Sequence, residues 1–367
     1  MLNPISTDAS IDKLAKAAVI NAEKLITEAK PNQKMYDKAN RKRFTRLFKD
    51  PDAIAVTVTL TDEVMRIKSP KHAAKLLSGA AGKASISGFG LINALGLKTI
   101  GLFGGILPKP VLFAVDTQVK RLSKGIIIPA EKGKLARQIK RRSKSAIRLN
   151  INVLGEAVLG KREADERYER VLEMMHRPEV DYVSVKLSSV VAQIIALDRA
   201  GTAARVKEKL IEIYRTSQST GTFVNLDMEE FRDLRLTVDA FKEVLDSPEF
   251  GNLYAGIVLQ AYLPESHGVF AELVEWAKQR HAKSNGVIKI RLVKGANLAM
   301  EKAEAELHGW IPAPYQSKSD VDASYSRLID VALRKDHAHA LRIGVASHNL
   351  FHISFALEVA KSRGVLD

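Results

Sequence analysis

The sequence predicts an α/β protein in which a parallel sheet follows a basic, helical N-terminal region. Two observations carry this. Six short apolar runs, at 149–154, 182–187, 223–226, 255–262, 287–293 and 341–346, alternate with amphipathic stretches such as 203–214 and 231–245. Strands that alternate with helices in this way pair in parallel. The charge also divides where the texture changes. Residues 1–150 hold 29 Lys/Arg against 11 Asp/Glu, whereas residues 151–367 hold 28 against 31. The formal net charge of +15 therefore belongs to the N-terminal part.

With 367 residues, 46% of them hydrophobic, the chain has room for two domains or for one large domain with an extension. Cysteine is absent. That excludes disulfides, thiolate metal sites and cysteine nucleophiles, and it suits a reducing cytoplasm. The opening MLNPISTDAS lacks the basic-then-apolar pattern of a signal peptide. The expected location is cytoplasmic, with peripheral contact at the inner face of the membrane as a further expectation.

Along the chain, Ile11, Leu14, Ala18, Leu25 and Ala29 fall near helical spacing, so residues 11–50 read as amphipathic helix broken at Pro31. Residues 61–77 read the same way. Residues 85–115 are apolar and glycine-rich, with Lys98 and Lys109 as their charges. Their longest uncharged run, 84–97, is 14 residues, short of the roughly 20 that span a bilayer. A helical hairpin and a segment lying against a membrane surface are both open readings. Residues 120–148 are strongly basic, with KRRSK at 140–144. Anionic headgroups, nucleic acid and plain solvent would each suit that face, but no DNA-binding module is recognisable. The expected boundary separates a basic helical arm, 1–148, from a sheet domain, 149–367.

Polar residues close the apolar runs. They are Glu156, Lys186, Asp227, Gln260, then Arg291 with Lys294, then Ser347, His348 and Asn349. In a parallel barrel such ends converge on one mouth, where these folds carry their sites. The spacing allows a doubly wound sheet or a barrel. No GxGxxG follows the first run, which argues against the former. Gly295 and Ala296 beside Lys294 suit a phosphate or pyrophosphate. Gln260 offers a donor and an acceptor to a flat heterocycle, and Arg291 offers a fixed fork of donors. Lys186 and Asp227 suit the carboxylate and the amine of a zwitterion. The run Asp336, His337, Ala338, His339 reads as a solvated helix end, not a metal site.

The strings LGEAV, VKLS, NLDMEE, IVLQAY, IRLVKGAN, DASY and ASHN, in this order, resemble the proline dehydrogenase domain of the bifunctional bacterial proline utilisation A flavoenzymes. The resemblance covers residues 149–367. It implies a (β/α)8-type, TIM-like barrel that binds FAD, incomplete here at about six strands and preceded by an α-helical arm. The implied activity is FAD-dependent oxidation of L-proline to 1-pyrroline-5-carboxylate on the way to glutamate, with electrons passing to a quinone. It also implies roles. Asp227 and Arg291 are the catalytic pair and Lys186 contacts the substrate. Met228, Gln260, Arg291, Lys294, Gly295, Ala296, Lys318, Ser347, His348 and Asn349 hold the FAD, and no metal is needed. The expected partners are L-proline, the quinone, a membrane surface touched by the basic N-terminal part, and further copies of the chain. Nucleic acid is not among them.

The sequence departs from the family in three places. Asn297 and Leu298 stand where many members carry an aromatic pair, and Ser317 stands where many carry Arg. The family's seventh and eighth strands, its paired arginines and the aldehyde dehydrogenase half have no counterpart before Asp367. The expectation is therefore a fragment, weakly active or inactive alone. The alternative is a basic membrane- or nucleic-acid-associated binding protein whose barrel is a relic.

Overall fold

A computed structural model describes residues 9–32, 35–59, 69–82, 113, 130–153, 160–195 and 197–366. Contacts divide the chain into two compact units, Met1–Ile26 with Ile139–Asp367, and Thr27–Gln138. Helix α1, Ala9–Asn32, contains Pro31 in its last turn, where the sequence predicts a break. The smaller unit carries α2, Met35–Phe48, α3, Pro51–Val58, and α4, Pro70–Gly82. Asp50 caps α3 by accepting from Ala53 N at 3.1 Å, and Pro51 fills the first turn, where no N–H is needed. The helix expected over 61–77 is found from Pro70; residues 61–68 lie outside the described residues, as does the apolar segment 85–115 apart from Phe113.

Helix α5, Lys132–Ser143, begins in the smaller unit and ends in the larger one, which continues into the sheet. Its strands are β1, Ile151–Asn152, β2, Tyr182–Lys186, β3, Phe223–Asp227, β4, Ala255–Gln260, β5, Ile288–Val293, and β6, Leu341–Val345. All pair in parallel in the order β1-β2-β3-β4-β5-β6. Each strand lies beside its successor, so the order never reverses. A doubly wound sheet has such a reversal, and a barrel wall does not. The described sheet is an unclosed barrel wall of six strands. Its β1 is shorter than the run 149–154 predicts, and Glu156 lies outside the described residues.

Parity within each strand sorts the side chains onto two faces. Val183, Val185, Val224, Leu226, Ile257, Leu259, Ile288, Ile290 and Leu292 occupy one parity and are fully or almost fully buried. They form the apolar face. Helices cover it: α6, Lys161–Met175, α8, Arg199–Thr220, α9, Leu234–Leu245, α10, Ser266–Ser284, and α12, Lys318–Ala332; the short α7, Leu187–Val190, follows β2, and α11, Leu298–His308, follows β5. Those helices contribute Tyr168, Leu210, Ile213, Tyr214, Phe241, Phe270 and Tyr325 to the same core. The other parity carries Ser184, Lys186, Asn225, Asp227, Gly256, Gln260, Lys289, Arg291 and Arg342. Strand β5 alternates between buried and part-exposed residues along its whole length. The register brings the polar parity into rows, Ser184 beside Asn225, Asn225 beside Gly256, Gly256 beside Lys289 and Lys289 beside Arg342.

Two details tighten the wall. The buried Arg280 guanidinium donates to the carbonyls of Phe250 and Leu253, both at 2.8 Å, which satisfies a loop that would otherwise hide bare oxygens. The solvated helix end expected at 336–339 is corrected at His337. Lys335–His337 forms a tight turn after α12 that folds the His337 ring inward, 3.0 Å from Ala332 O and edge-on to Phe270. Burial lowers its pKa, which favours the neutral ring.

Ile290 sits fully buried on the apolar face. Ile290→Ala is expected to destabilise the fold by about 2–5 kcal/mol, read as a lower urea midpoint. A loss under 1 kcal/mol would contradict this assignment of the faces.

Candidate functional site

The site grows from the polar parity. Its floor is aromatic. Tyr182 meets Phe223 edge-on with centroids 4.9 Å apart, and Phe223 meets Tyr254 at 4.6 Å. Lys289 Nζ lies 4.9 Å from the Tyr182 ring and 5.6 Å from the Phe223 ring. Burial, reinforced by Arg148 and Arg291, lowers the Lys289 pKa.

Above the floor stands Asp227, the last residue of β3, paired in register with Lys186, the last residue of β2. Asp227 is 10% exposed. Its Oδ1 accepts from Ser184 Oγ at 3.0 Å and Asn225 Nδ2 at 2.9 Å, and Arg291 Nη2 lies 3.4 Å from it. Asn150 Nδ2 donates to Ser184 Oγ at 2.8 Å. Burial raises the Asp227 pKa above the ordinary carboxylate value, while Arg291, Ser184, Asn225 and Lys186 all pull it back. Lys186 forms an ion pair with Glu229.

Gln260 closes β4. Its Nε2 donates to Glu229 O at 3.1 Å, which turns Oε1 away from that partner. Gln260 Oε1 and Arg291 Nε are both buried without a hydrogen-bond partner among the described residues. One is an acceptor and the other a donor, both on the polar face. A flat heterocycle with donors and acceptors on its edge would satisfy both.

At the rim, Lys294 and Lys318 both pair with Asp322. Lys318 opens α12 and is 82% exposed; Ser317 caps that helix by accepting from Asp320 N at 3.0 Å. Gly295 has φ +127°, and a Cβ there would lie 2.4 Å from the Tyr262 ring. Glycine is thus required for the loop to close over Tyr262, whose own N donates to Lys294 O at 2.8 Å. Ala296 is exposed beside it. Met228 is buried against a small cavity shared with Leu187, Asp227 and Leu236. After β6, Ser347 Oγ accepts from Asn349 N at 3.0 Å, and Asn349 caps α13, Leu350–Arg363, by accepting from Phe351 N at 2.9 Å. His348 is exposed between them.

The structure therefore groups eight of the expected residues in two places. Lys186, Asp227, Gln260 and Arg291 share the polar face, while Lys294, Gly295, Ala296 and Lys318 lie at the rim. Sequence reasoning misses Ser184, Asn225, Asn150 and Lys289, although Ser184-x-Lys186, Asn225-x-Asp227 and Lys289-x-Arg291 carry the period-two signal that finds them. It also leaves DASY without a structural role. Asp322 holds both lysines, Ser324 Oγ donates to Ala261 O at 2.7 Å, and Tyr325 OH lies within reach of Leu292 O at 3.2 Å and Ala346 O at 3.0 Å. The motif fastens α12 to the ends of β4, β5 and β6. Its Tyr325 ring meets the buried His352 edge-on at 5.1 Å. Among the described residues no cluster of three potential metal ligands exists, and no helix is long and apolar enough to cross a membrane.

Comparison with known proteins gives the same direction. Residues 135–367 match the proline dehydrogenase family model. Over 231 residues the chain is 26% identical to proline dehydrogenase 2 of Bacillus subtilis (strain 168), covering 62% of this chain and 65% of that protein. Over 118 residues it is 32% identical to hydroxyproline dehydrogenase of Rattus norvegicus, covering 32% of this chain and 25% of that protein. Among solved structures, proline utilization A from Corynebacterium freiburgense matches with TM-score 0.65 and 47% identity over 68% of this chain and 26% of that one. The Bdellovibrio bacteriovorus protein of that name matches at TM-score 0.77 over 96% of this chain and 36% of that one; its 23% identity speaks for the fold alone. The chain thus spans 65% of the length of its Bacillus relative and a smaller share of the others.

Asp233, behind the mouth, generates a pH prediction. It is buried with Oδ1 unpartnered among the described residues, and burial, with Glu230, Glu301 and Glu229 adding to it, raises its pKa to about 6. A raised carboxyl favours the neutral form. Its stabilisation is complete below the ordinary carboxylate range and is lost as pH rises through about 6. Asp233→Asn is expected to exceed the parent in urea stability at pH 8 by on the order of 2 kcal/mol and to match it near pH 4. Equal gaps at both pH values would contradict this.

Proposed function

The chain belongs to the proline dehydrogenase family, and from that premise we propose that it binds FAD on the polar face of its barrel wall and oxidises L-proline to 1-pyrroline-5-carboxylate. The observation that carries the reading is the row in which Lys186 and Asp227 stand at adjacent strand ends and Arg291 reaches Asp227 from inside β5, above an aromatic floor. A cation and a carboxylate at adjacent strand ends suit the two charges of a proline zwitterion.

The residues present fit a flavin. Gln260 Oε1 and Arg291 Nε are the buried, unpartnered acceptor and donor its ring edge would satisfy, and Lys294 and Lys318 supply positive charge for the pyrophosphate. Met228, Gly295, Ala296, Ser347, His348 and Asn349 complete the proposed cofactor contacts. Bound there, the flavin supplies the two-electron acceptor for C–N oxidation. The protein does the rest. Lys186 exchanges Glu229 for the substrate carboxylate. Asp227 Oδ2 takes the ammonium and accepts the proton the ring nitrogen sheds. Arg291 opposes the burial that raises the Asp227 pKa. The electron acceptor we assign, on the family resemblance, is a quinone. The basic N-terminal part is its proposed membrane contact, where Lys38, Arg41, Lys42 and Arg46 line one side of α2, Lys49 follows its end and Phe48 stays exposed.

The test is optical. The purified full chain, titrated with FAD, is expected to acquire a bound flavin band at about 450 nm that L-proline bleaches anaerobically and D-proline does not. Gln260→Leu is expected to weaken FAD binding by about tenfold or more, the equivalent of about 1.4 kcal/mol. No flavin binding, or bleaching indifferent to the enantiomer, would overturn the proposal.

A further inference from the structure

The two hydrogen bonds on Asp227 fall on one oxygen. Ser184 Oγ and Asn225 Nδ2 both reach Oδ1, at 3.0 and 2.9 Å, and the Arg291 guanidinium lies on the same atom at 3.4 Å. Oδ2 carries no hydrogen bond among the described residues.

The donors are themselves fixed. A serine hydroxyl has one proton, and Asn150 Nδ2 at 2.8 Å takes up one of its lone pairs, so the proton is left for Asp227. Asn225 lies over Gly256, its register partner on β4. A Cβ at 256 would lie 2.7 Å from Asn225 Oδ1 and 2.7 Å from Phe223 Cζ. Only glycine leaves the amide its place. The row Asn150, Ser184, Asp227, Asn225, Gly256 thus runs across four neighbouring segments of the wall, and Ser184 and Asn225 both direct their protons at one atom.

We infer that Ser184 and Asn225 are positioning residues: they clamp Asp227 by Oδ1, favour its carboxylate form, and leave Oδ2 as the Asp227 oxygen open to a cationic ligand group on the polar face. This rests on the reading of Asp227 as the carboxylate that meets the substrate amine. The clamp works through Asp227 and touches no substrate. With Oδ1 occupied by two donors, a proton taken up by Asp227 resides on Oδ2, the oxygen that faces no donor. The charged groups around the carboxyl are Arg291 and Lys186, with the Tyr182 hydroxyl nearby. Neither cation fills the place of the clamp. Arg291 lies at 3.4 Å, and Lys186 is engaged by Glu229.

The test is a carboxyl titration of the full chain labelled with 13Cγ-aspartate, without flavin or L-proline. The Asp227 resonance is the one lost in Asp227→Asn. Removing hydrogen bonds to the charged form raises a carboxyl pKa. Ser184→Ala and Asn225→Ala are each expected to raise the Asp227 midpoint by about half a unit or more, and Ser184→Thr, which keeps the hydroxyl, to restore the parent value. Gly256→Ala, which leaves every donor in the sequence but displaces Asn225, is expected to behave as Asn225→Ala. Unmoved midpoints in both alanine variants, with near-ultraviolet circular dichroism matching the parent, would overturn the clamp, as would a Ser184→Thr midpoint equal to that of Ser184→Ala. If either alanine variant fails to fold, the other and Gly256→Ala decide the question. L-proline-independent midpoint shifts beside a chain that L-proline never bleaches would remove the substrate assignment and leave the clamp standing.

Discussion

A β-strand turns alternate side chains to opposite faces, and a parallel strand in this wall must bury one of them under helices. That constraint fixes most of the molecule. Valine, leucine and isoleucine of one parity fill the space under the helices. The other parity is then free to carry Ser184, Lys186, Asn225, Asp227, Lys289 and Arg291, and a shift of one residue in any strand would exchange the two sets. The register between strands decides which polar residues meet. Asp227 therefore owes Ser184 to the pairing of β2 with β3 and Arg291 to the pairing that runs from β3 through β4 to β5, while Asn225 stands two residues before it on its own strand.

Charge on such a face is held at some cost, because burial penalises each ionised group. The wall meets that cost locally. Asp227 has Ser184, Asn225 and Arg291. Lys186 has Glu229, and the rim lysines share Asp322. Gln260 Oε1 and Arg291 Nε are among the atoms that fall outside this arrangement. They lie where a ring-edge ligand would complete the hydrogen bonding, which is why the same face serves packing, electrostatics and recognition.

Much of this is legible in the sequence, and the limits have physical causes. The six strands lie where the apolar runs predict them, because buried strand parity needs β-branched and leucine side chains at spacing two. The strand-end residues Lys186, Asp227, Gln260 and Arg291 do share a face. Ser184 and Asn225 escape notice because a serine or asparagine inside an apolar run looks like a tolerated polar residue until the register sets it beside a carboxylate. DASY reads as a family string, yet its Ser324 and Tyr325 act at the far ends of three strands, a contact no local pattern encodes. His337 misleads for the opposite reason. Its neighbours Lys335 and Asp336 signal solvent, while the tight turn folds that one ring inward.

If the polar parity of the wall is the ligand face, a crystal of the full chain soaked with FAD must show it. Flavin-ring density is expected against Gln260 and Arg291, with the pyrophosphate toward Lys294 and Lys318. Density lodged instead in the apolar groove between α8 and α9, beside Ile195 and Leu234, with the polar face empty, would refute the assignment of that face.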